Sequence, residues 1–131
     1  RKICLNCIES YHLTKEQMNS LSKELNLEEM LNRFKQLGVV ERNIKSFGEL
    51  TFYHGKGCSR CNGSGYSKRI GVLEILENTE KIRDLVVKNT SSSDFQKIAM
   101  QEGMVTIFED GMQKALLGVT TIEEVLRIKK E

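Results

Sequence analysis

Four cysteines form two Cys-x-x-Cys pairs, Cys4-Leu-Asn-Cys7 and Cys58-Ser-Arg-Cys61, and none is left over. Two residues between thiols let both sulfurs reach one tetrahedral ion from a tight turn. Two such turns complete a four-sulfur shell with no open position for water or substrate. The chemistry indicated is structural zinc binding by Cys4, Cys7, Cys58 and Cys61, not catalysis. Gly63 and Gly65 follow the second pair and can supply the positive φ angles that a metal knuckle needs. Backbone N–H groups of the turns can point at the sulfurs and offset their charge. Lys2, Lys56 and Arg60 lie near enough in sequence to help.

Other uses of the thiols are weaker. Two disulfides would suit an exported protein, and nothing in the sequence suggests export. A thioredoxin-like redox pair should follow a βαβ pattern, which neither motif does. Iron–sulfur ligation also suits four cysteines and stays open at this point. Other residues fit no chemistry. His12 and His54 read as isolated surface histidines beside a shell already full. The fragment HGKGCS lacks the G-x-x-x-x-G-K-[ST] spacing of a phosphate loop. Glu49 and Glu74 are two carboxylates among many, and Lys68 with Arg69 reads as a solvated strand end.

The elements that must position the cysteines are mostly helical. Thr14 with Gln17 forms the signature of a capping box, opening a helix to about Leu25. Asn26 with Glu29 opens a second, carrying Leu27, Met30, Leu31, Phe34 and Leu37, with Gly38 at the C-cap position. Residues 14–37 thus read as a helical hairpin. LTFY at 50–53 and RIGVLEIL at 69–76 have strand composition, on either side of the glycine-rich second pair. Four further helices follow. One runs from Thr79 to about Lys88, and the others are capped by Ser93 with Gln96, Thr106 with Glu109, and Thr121 with Glu124. Each has only a narrow apolar stripe, so they must pack on one another or on a further domain. The expected fold is mainly α with a small β element: a tetracysteine lobe with the hairpin at 1–65, beside a strand and C-terminal helical bundle at 66–131.

Composition fits a metal staple. Of 131 residues, 39% are hydrophobic, none is tryptophan, and aromatics number three tyrosines and five phenylalanines. The core is therefore aliphatic and benefits from a cross-link. Closing the loop of residues 8–57 costs only a few kcal/mol, because the penalty grows logarithmically with length. Zinc binding in small peptides contributes about 10–16 kcal/mol, so the metal is expected to fix the N-terminal lobe. Twenty basic against eighteen acidic residues leave a formal charge of +2, too little to grip nucleic acid or anionic lipid. No apolar run approaches the ~20 residues that span a bilayer, and no signal peptide is visible. The first residue is arginine, so the chain is expected to be a piece of a longer protein.

Several motifs in a fixed order now add up. They are Cys4-x-x-Cys7, then Gly57-Cys58-Ser-Arg-Cys61-Asn-Gly-Ser-Gly65-Tyr66, then Arg69-Ile-Gly71-Val-Leu-Glu74, then Gly118-Val-Thr-Thr121-Ile-Glu-Glu124-Val125. This order resembles the C-terminal region of the type II secretion and type IV pilus assembly ATPases, over nearly the whole chain. The resemblance implies a hexameric cytoplasmic motor with a RecA-like nucleotide domain, docked beneath an inner-membrane platform protein. It implies that the cysteines hold zinc in a projecting tetracysteine subdomain. It also implies that the strand around Arg69–Leu76 completes the C-terminal lobe. The ATP-binding segments of such a motor would precede Arg1, so no ATP-contacting residue carries over. The family often has proline after the first cysteine of a pair, where Leu5 and Ser59 stand here. It usually has glycine where Lys68 stands.

The expected function is thus a zinc-stabilised structural and docking module of a secretion or pilus motor, at the inner face of the cytoplasmic membrane. It would couple the ATPase to its platform protein or to neighbouring subunits, with no enzymatic activity in this chain alone. The charge-mixed hairpin at 14–37 is the part expected to meet a partner, unless it merely shields the metal. An alternative is a DnaJ-like chaperone module, since CSRCNGSG matches one Cys-x-x-Cys-x-Gly-x-Gly repeat. A nucleic-acid-binding zinc ribbon is a further alternative, weakened by the charge balance.

Overall fold

Reciprocal caps start the hairpin. In the computed structural model, which describes residues 1–130, Gln17 N–H donates to Thr14 Oγ1 at 3.2 Å and Thr14 N–H to Gln17 Oε1 at 2.9 Å. Helix α1 (Lys15–Ser22) follows. Asn26 Oδ1 accepts from Glu29 N–H at 3.1 Å and opens α2 (Leu27–Gln36). Gly38, at φ +73°, ends α2, and Val39 N–H reaches back to the Phe34 carbonyl at 3.0 Å.

Ahead of the hairpin, β1 (Ile8–His12) pairs antiparallel with β2 (Thr51–Gly55), in register from Ile8 opposite Gly55 to His12 opposite Thr51. Strand β2 matches the strand expected at 50–53. Strand β1 was not expected, because IESYH offers only two apolar positions. The ribbon lays Phe52 into the core, with the Phe47 ring centroid 5.7 Å away.

Four helices complete the chain: α3 (Glu80–Val87), α4 (Ser92–Gln101), α5 (Ile107–Leu116) and α6 (Ile122–Lys130). The fold is therefore mostly helical with one two-stranded antiparallel sheet among the described residues. Phe34, Phe52, Met112 and Val125 are the largest fully buried side chains, one each from α2, β2, α5 and α6. The stripes of α5 and α6 thus pack both on each other and on the hairpin and ribbon. Helices α3 and α4 pair separately over Ile82, Ala99 and Met104.

Two expectations are corrected. Ser91 caps α4 instead of Ser93. Its Oγ accepts from Asp94 N–H at 3.3 Å and donates to the Asp94 carboxylate at 2.8 Å, and Asp94 adds first-turn negative charge. Residues 69–76 form no strand. Strand composition needs a neighbouring backbone to bond, and none runs alongside. Side chains hold this segment instead: Leu73 N–H donates to Asp110, and Glu74 accepts from Ile107 N–H, both at 2.9 Å. Leu73 and Ile75 stand 62% and 70% exposed.

Candidate metal centre

The ribbon delivers the two cysteine pairs to one place. Cys7 immediately precedes β1, and Gly57-Cys58 follows β2 after one residue. Lys56 N–H donates to the Cys7 carbonyl at 2.9 Å, adding a rung beyond the Ile8–Gly55 pair. The first turn closes with Cys7 N–H to the Cys4 carbonyl at 3.2 Å. The second is a 3-10 turn at Ser59–Cys61, continued by Asn62, Gly63 and Gly65 at φ +52°, +75° and +77°. Both glycines adopt the left-handed conformation expected of them.

All four sulfurs lie within 4.8 Å of one another. Cys4 to Cys58 is 3.9 Å, Cys7 to Cys61 is 3.9 Å, and Cys58 to Cys61 is 3.7 Å. A tetrahedron of sulfurs about 2.3 Å from a zinc ion has edges of about 3.8 Å. The donor set therefore fits one tetrahedral metal ion. These spacings far exceed a disulfide's ~2.05 Å, and all four cysteines are free. An iron–sulfur cluster spreads the four thiolates over two or four irons and so holds some of the sulfurs farther apart than this, and the geometry favours a single ion.

Four N–H donors point at the shell. Gly57 N–H reaches Cys7 Sγ at 3.3 Å, and Cys58 and Gly65 N–H each reach Cys61 Sγ at 3.2 Å. Asn6 Nδ2 donates to Cys58 Sγ at 3.3 Å. This carboxamide went unnoticed in the sequence, although its place inside the first Cys-x-x-Cys was a signal. In the metal-free protein burial pushes the Cys7 thiol up to about 12, against the pull of Gly57 N–H. Burial acts the same way on Cys61, but the N–H groups of Cys58 and Gly65 outweigh it and draw that thiol down to about 6. Cys58 is lowered too, chiefly by Asn6. The second turn is thus set up to present thiolate, while metal binding must displace the proton from Cys7.

Lys56 and the two histidines have other partners. Lys56 pairs with Glu9 at 3.6 Å. His12 Nδ1 faces the Leu50 carbonyl at 3.1 Å, and His54 lies edge-on to the Tyr11 ring with centroids 5.3 Å apart. Neither histidine joins the cysteine cluster.

The centre is tied to the start of the chain and to α6. Cys4 N–H donates to the Gly65 carbonyl at 2.9 Å, Lys2 N–H to the Lys68 carbonyl at 3.1 Å, and Ile3 N–H to the Val119 carbonyl at 2.9 Å. Lys68 makes this approach at φ +68°. A lysine there costs about 1–2 kcal/mol that the family's usual glycine would not. Tyr66 shares a 2.9 Å hydrogen bond with Thr121 and lies 4.2 Å beneath the Arg1 guanidinium.

The last segment of the motif order can now be placed. Residues of the GxTTxEEV stretch, Thr120, Thr121 and Glu124, are buried against the chain start and not out on a free helix. The motif order therefore describes one connected substructure around the cysteines. Residues 1–127 match the family described as type II/IV secretion system protein. The chain belongs to that family.

Its relatives are homologous ATPases. The type IV pilus assembly ATPase PilB of Thermus thermophilus is 41% identical over 92 residues, which is 70% of this chain and 10% of that protein. PilB of Pseudomonas aeruginosa is 28% identical over all 131 residues, 20% of its length. The type II secretion system ATPase E of Vibrio cholerae is 27% identical over 131 residues, 22% of its length. The chain thus spans between a tenth and about a fifth of these family members. No phosphate-loop motif occurs in its sequence, and no described helix is long and apolar enough to cross a membrane.

One carboxylate of the family's GxTTxEEV stretch makes a pH prediction. The Arg1 guanidinium, donating to Glu124 at 2.9 and 3.2 Å, holds this buried carboxyl well below the usual range against the opposing effect of burial. Arg127 adds a contact at 3.0 Å. A depressed folded-state pKa contributes stability that is fully present above the unfolded value, about 4.3. It is lost as pH falls through the folded value. Glu124→Gln should therefore flatten the acid limb of stability below about pH 4.3, measured as the urea midpoint against pH. An unchanged acid limb would show that Glu124 is not the responsible group.

Proposed function

We propose that Cys4, Cys7, Cys58 and Cys61 hold one structural zinc ion. We further propose that the chain is the zinc-stabilised docking module of a cytoplasmic secretion or pilus assembly ATPase. The convergence of four sulfurs within 4.8 Å, in a family whose members include such motors, carries this reading. A tetrathiolate leaves the ion no open coordination position, so its contribution is to hold backbone in place. The segments held are the chain start, the ribbon end and the loop leading to Tyr66, all meeting the N-terminus of α6.

ATP binding belongs to the remaining part of the motor, a hexamer at the inner face of the cytoplasmic membrane. The module couples that motor to the inner-membrane platform protein or to neighbouring subunits. Two exposed features support a docking role. The hairpin turns Leu31 and Phe34 inward and presents Lys15, Glu16, Lys23, Glu24 and Glu28 outward. The segment at 69–76 exposes Ile70, Leu73, Ile75 and Leu76, apolar residues that a strand of the parent motor can cover.

The test uses the full-length motor. Elemental analysis should find one zinc per subunit, and Cys58→Ser should remove it. The Cys58→Ser motor should still bind nucleotide yet lose co-sedimentation with the platform protein's cytoplasmic domain. Iron in place of zinc, or undiminished co-sedimentation by the zinc-free motor, overturns the reading.

A further inference from the structure

The last residue of β2 and the loop after the second cysteine pair cross with no room for a side chain. A Cβ added at Gly55 would lie 2.6 Å from both the Cα and the carbonyl carbon of Gly65. A Cβ added at Gly65 would lie 3.0 Å from the carbonyl carbon of Gly55 and 3.2 Å from its Cα. Such contacts are backbone against backbone, so no side-chain rotation relieves them.

The backbone of Gly65 also touches both cysteine pairs. Its N–H donates to Cys61 Sγ at 3.2 Å, and its carbonyl accepts from Cys4 N–H at 2.9 Å. Gly55 belongs to the strand that leads into Gly57, whose N–H donates to Cys7 Sγ at 3.3 Å. Displacing Gly65 from Gly55 therefore moves donors on both turns relative to the sulfurs.

We infer that Gly55 and Gly65 are positioning residues for the metal, an interlock that sets the spacing between the two thiol pairs. The inference rests on the proposed zinc reading and deepens it. Groups outside a metal's immediate ligands that orient those ligands typically change affinity 10–100-fold when lost. The interlock acts by that route, through N–H groups and backbone placement, without touching the ion.

The structure supplies a matched control. Gly63 and Gly65 have nearly equal φ angles, +75° and +77°, yet a Cβ at Gly63 meets nothing within 4 Å. Gly63→Ala thus reports the conformational penalty alone, while Gly65→Ala adds the collision. Gly55 lies outside the left-handed region, so Gly55→Ala adds the collision without that penalty. Gly111→Ala, whose Cβ would meet Val125 at 3.1 Å between α5 and α6, crowds the core away from the cysteines.

The experiment measures zinc affinity of the full chain by competition with a chromophoric chelator, and the visible spectrum of the cobalt-loaded protein at saturation. Gly65→Ala and Gly55→Ala should each weaken zinc binding by about 30-fold and alter the tetrahedral cobalt–thiolate bands. Gly63→Ala should stay within about threefold of wild type, a few tenths of the interlock's effect on a logarithmic scale. Gly111→Ala should lower stability and leave the cobalt spectrum unchanged. Should Gly65→Ala not reach the folded state, Gly55→Ala carries the comparison alone. Equal affinities for Gly63→Ala and Gly65→Ala, with a wild-type spectrum for Gly55→Ala, overturn the interlock and leave the zinc site standing. A wild-type chain that binds no zinc overturns both.

Discussion

Stripping the metal with a chelator, or replacing Cys58 by Ser, is expected to lower the melting temperature by roughly 15 °C. A ligand that binds only the folded state adds about 4 kcal/mol when free at a thousand times its dissociation constant. For a domain of this length each kcal/mol moves the midpoint by about 3–5 °C. The size of the effect follows from where the ion sits. The proposed ion would join residues 4–7 to residues 58–61, beside the contacts of Ile3 with Val119 and Tyr66 with Thr121. Burial pushes the Cys7 thiol up to about 12, while hydrogen-bond donors draw Cys58 and Cys61 down, so removal leaves thiolate on the second turn beside a protonated Cys7. Loosening should accordingly be local, with amide exchange rising first at Gly57, Cys58 and Gly65, whose N–H groups point at sulfur. The core around Phe34, Phe52, Met112 and Val125 should exchange last. Equal melting points with and without metal would mean that the shell adds nothing to the fold.

The candidate site was legible because its signal is carried by rare residues at short spacing. Four cysteines in two Cys-x-x-Cys pairs point to one shared metal site more strongly than to disulfides, and the sulfurs do converge. Helix starts were legible for a related reason. Thr14 with Gln17 and Thr106 with Glu109 make both halves of a capping box, a local motif that needs no tertiary partner. Features that depend on distant backbone were not legible. Strand β1 exists because β2 lies beside it, not because IESYH favours extension. Conversely, RIGVLEIL has the composition of a strand and finds no neighbour. The bonds from Ile3 to Val119 and from Cys4 to Gly65 join main-chain atoms, which every residue carries, and so leave no trace in residue type. The crossing of Gly55 and Gly65 is intermediate: both glycines are visible, but their contact is not.

The same distinction governs the second large effect, at a charged pair that sequence pattern does not single out. Arg33 of α2 donates through Nε to Glu109 of α5 at 2.6 Å, and through a second nitrogen to the Met104 carbonyl at 2.9 Å. Glu109 is 6% exposed and also completes the cap with Thr106. Glu109→Ala therefore removes a buried partner, leaves Arg33 without its carboxylate and takes away the side-chain half of the cap at Thr106. Breaking a buried pair costs about 3–5 kcal/mol, while the Thr106 Oγ1 bond to the main-chain N–H of residue 109 survives the substitution. Arg33 keeps the Met104 carbonyl and is one-fifth exposed, so water screens part of the loss. The expected total is about 3 kcal/mol, read as a lower denaturant midpoint with an unchanged slope. Glu109→Gln separates the parts, because glutamine can still complete the cap while losing the charge. It should fall between wild type and Glu109→Ala. Replacing both partners, as Arg33→Met with Glu109→Leu, should recover most of the loss, since the penalty lies mainly in the charge left behind. A Glu109→Ala midpoint within error of wild type would mean that apolar packing alone fastens the hairpin to α5. The ionic links from the hairpin to the helices that follow would then reduce to surface contacts such as Glu24 with Lys130 at 3.7 Å.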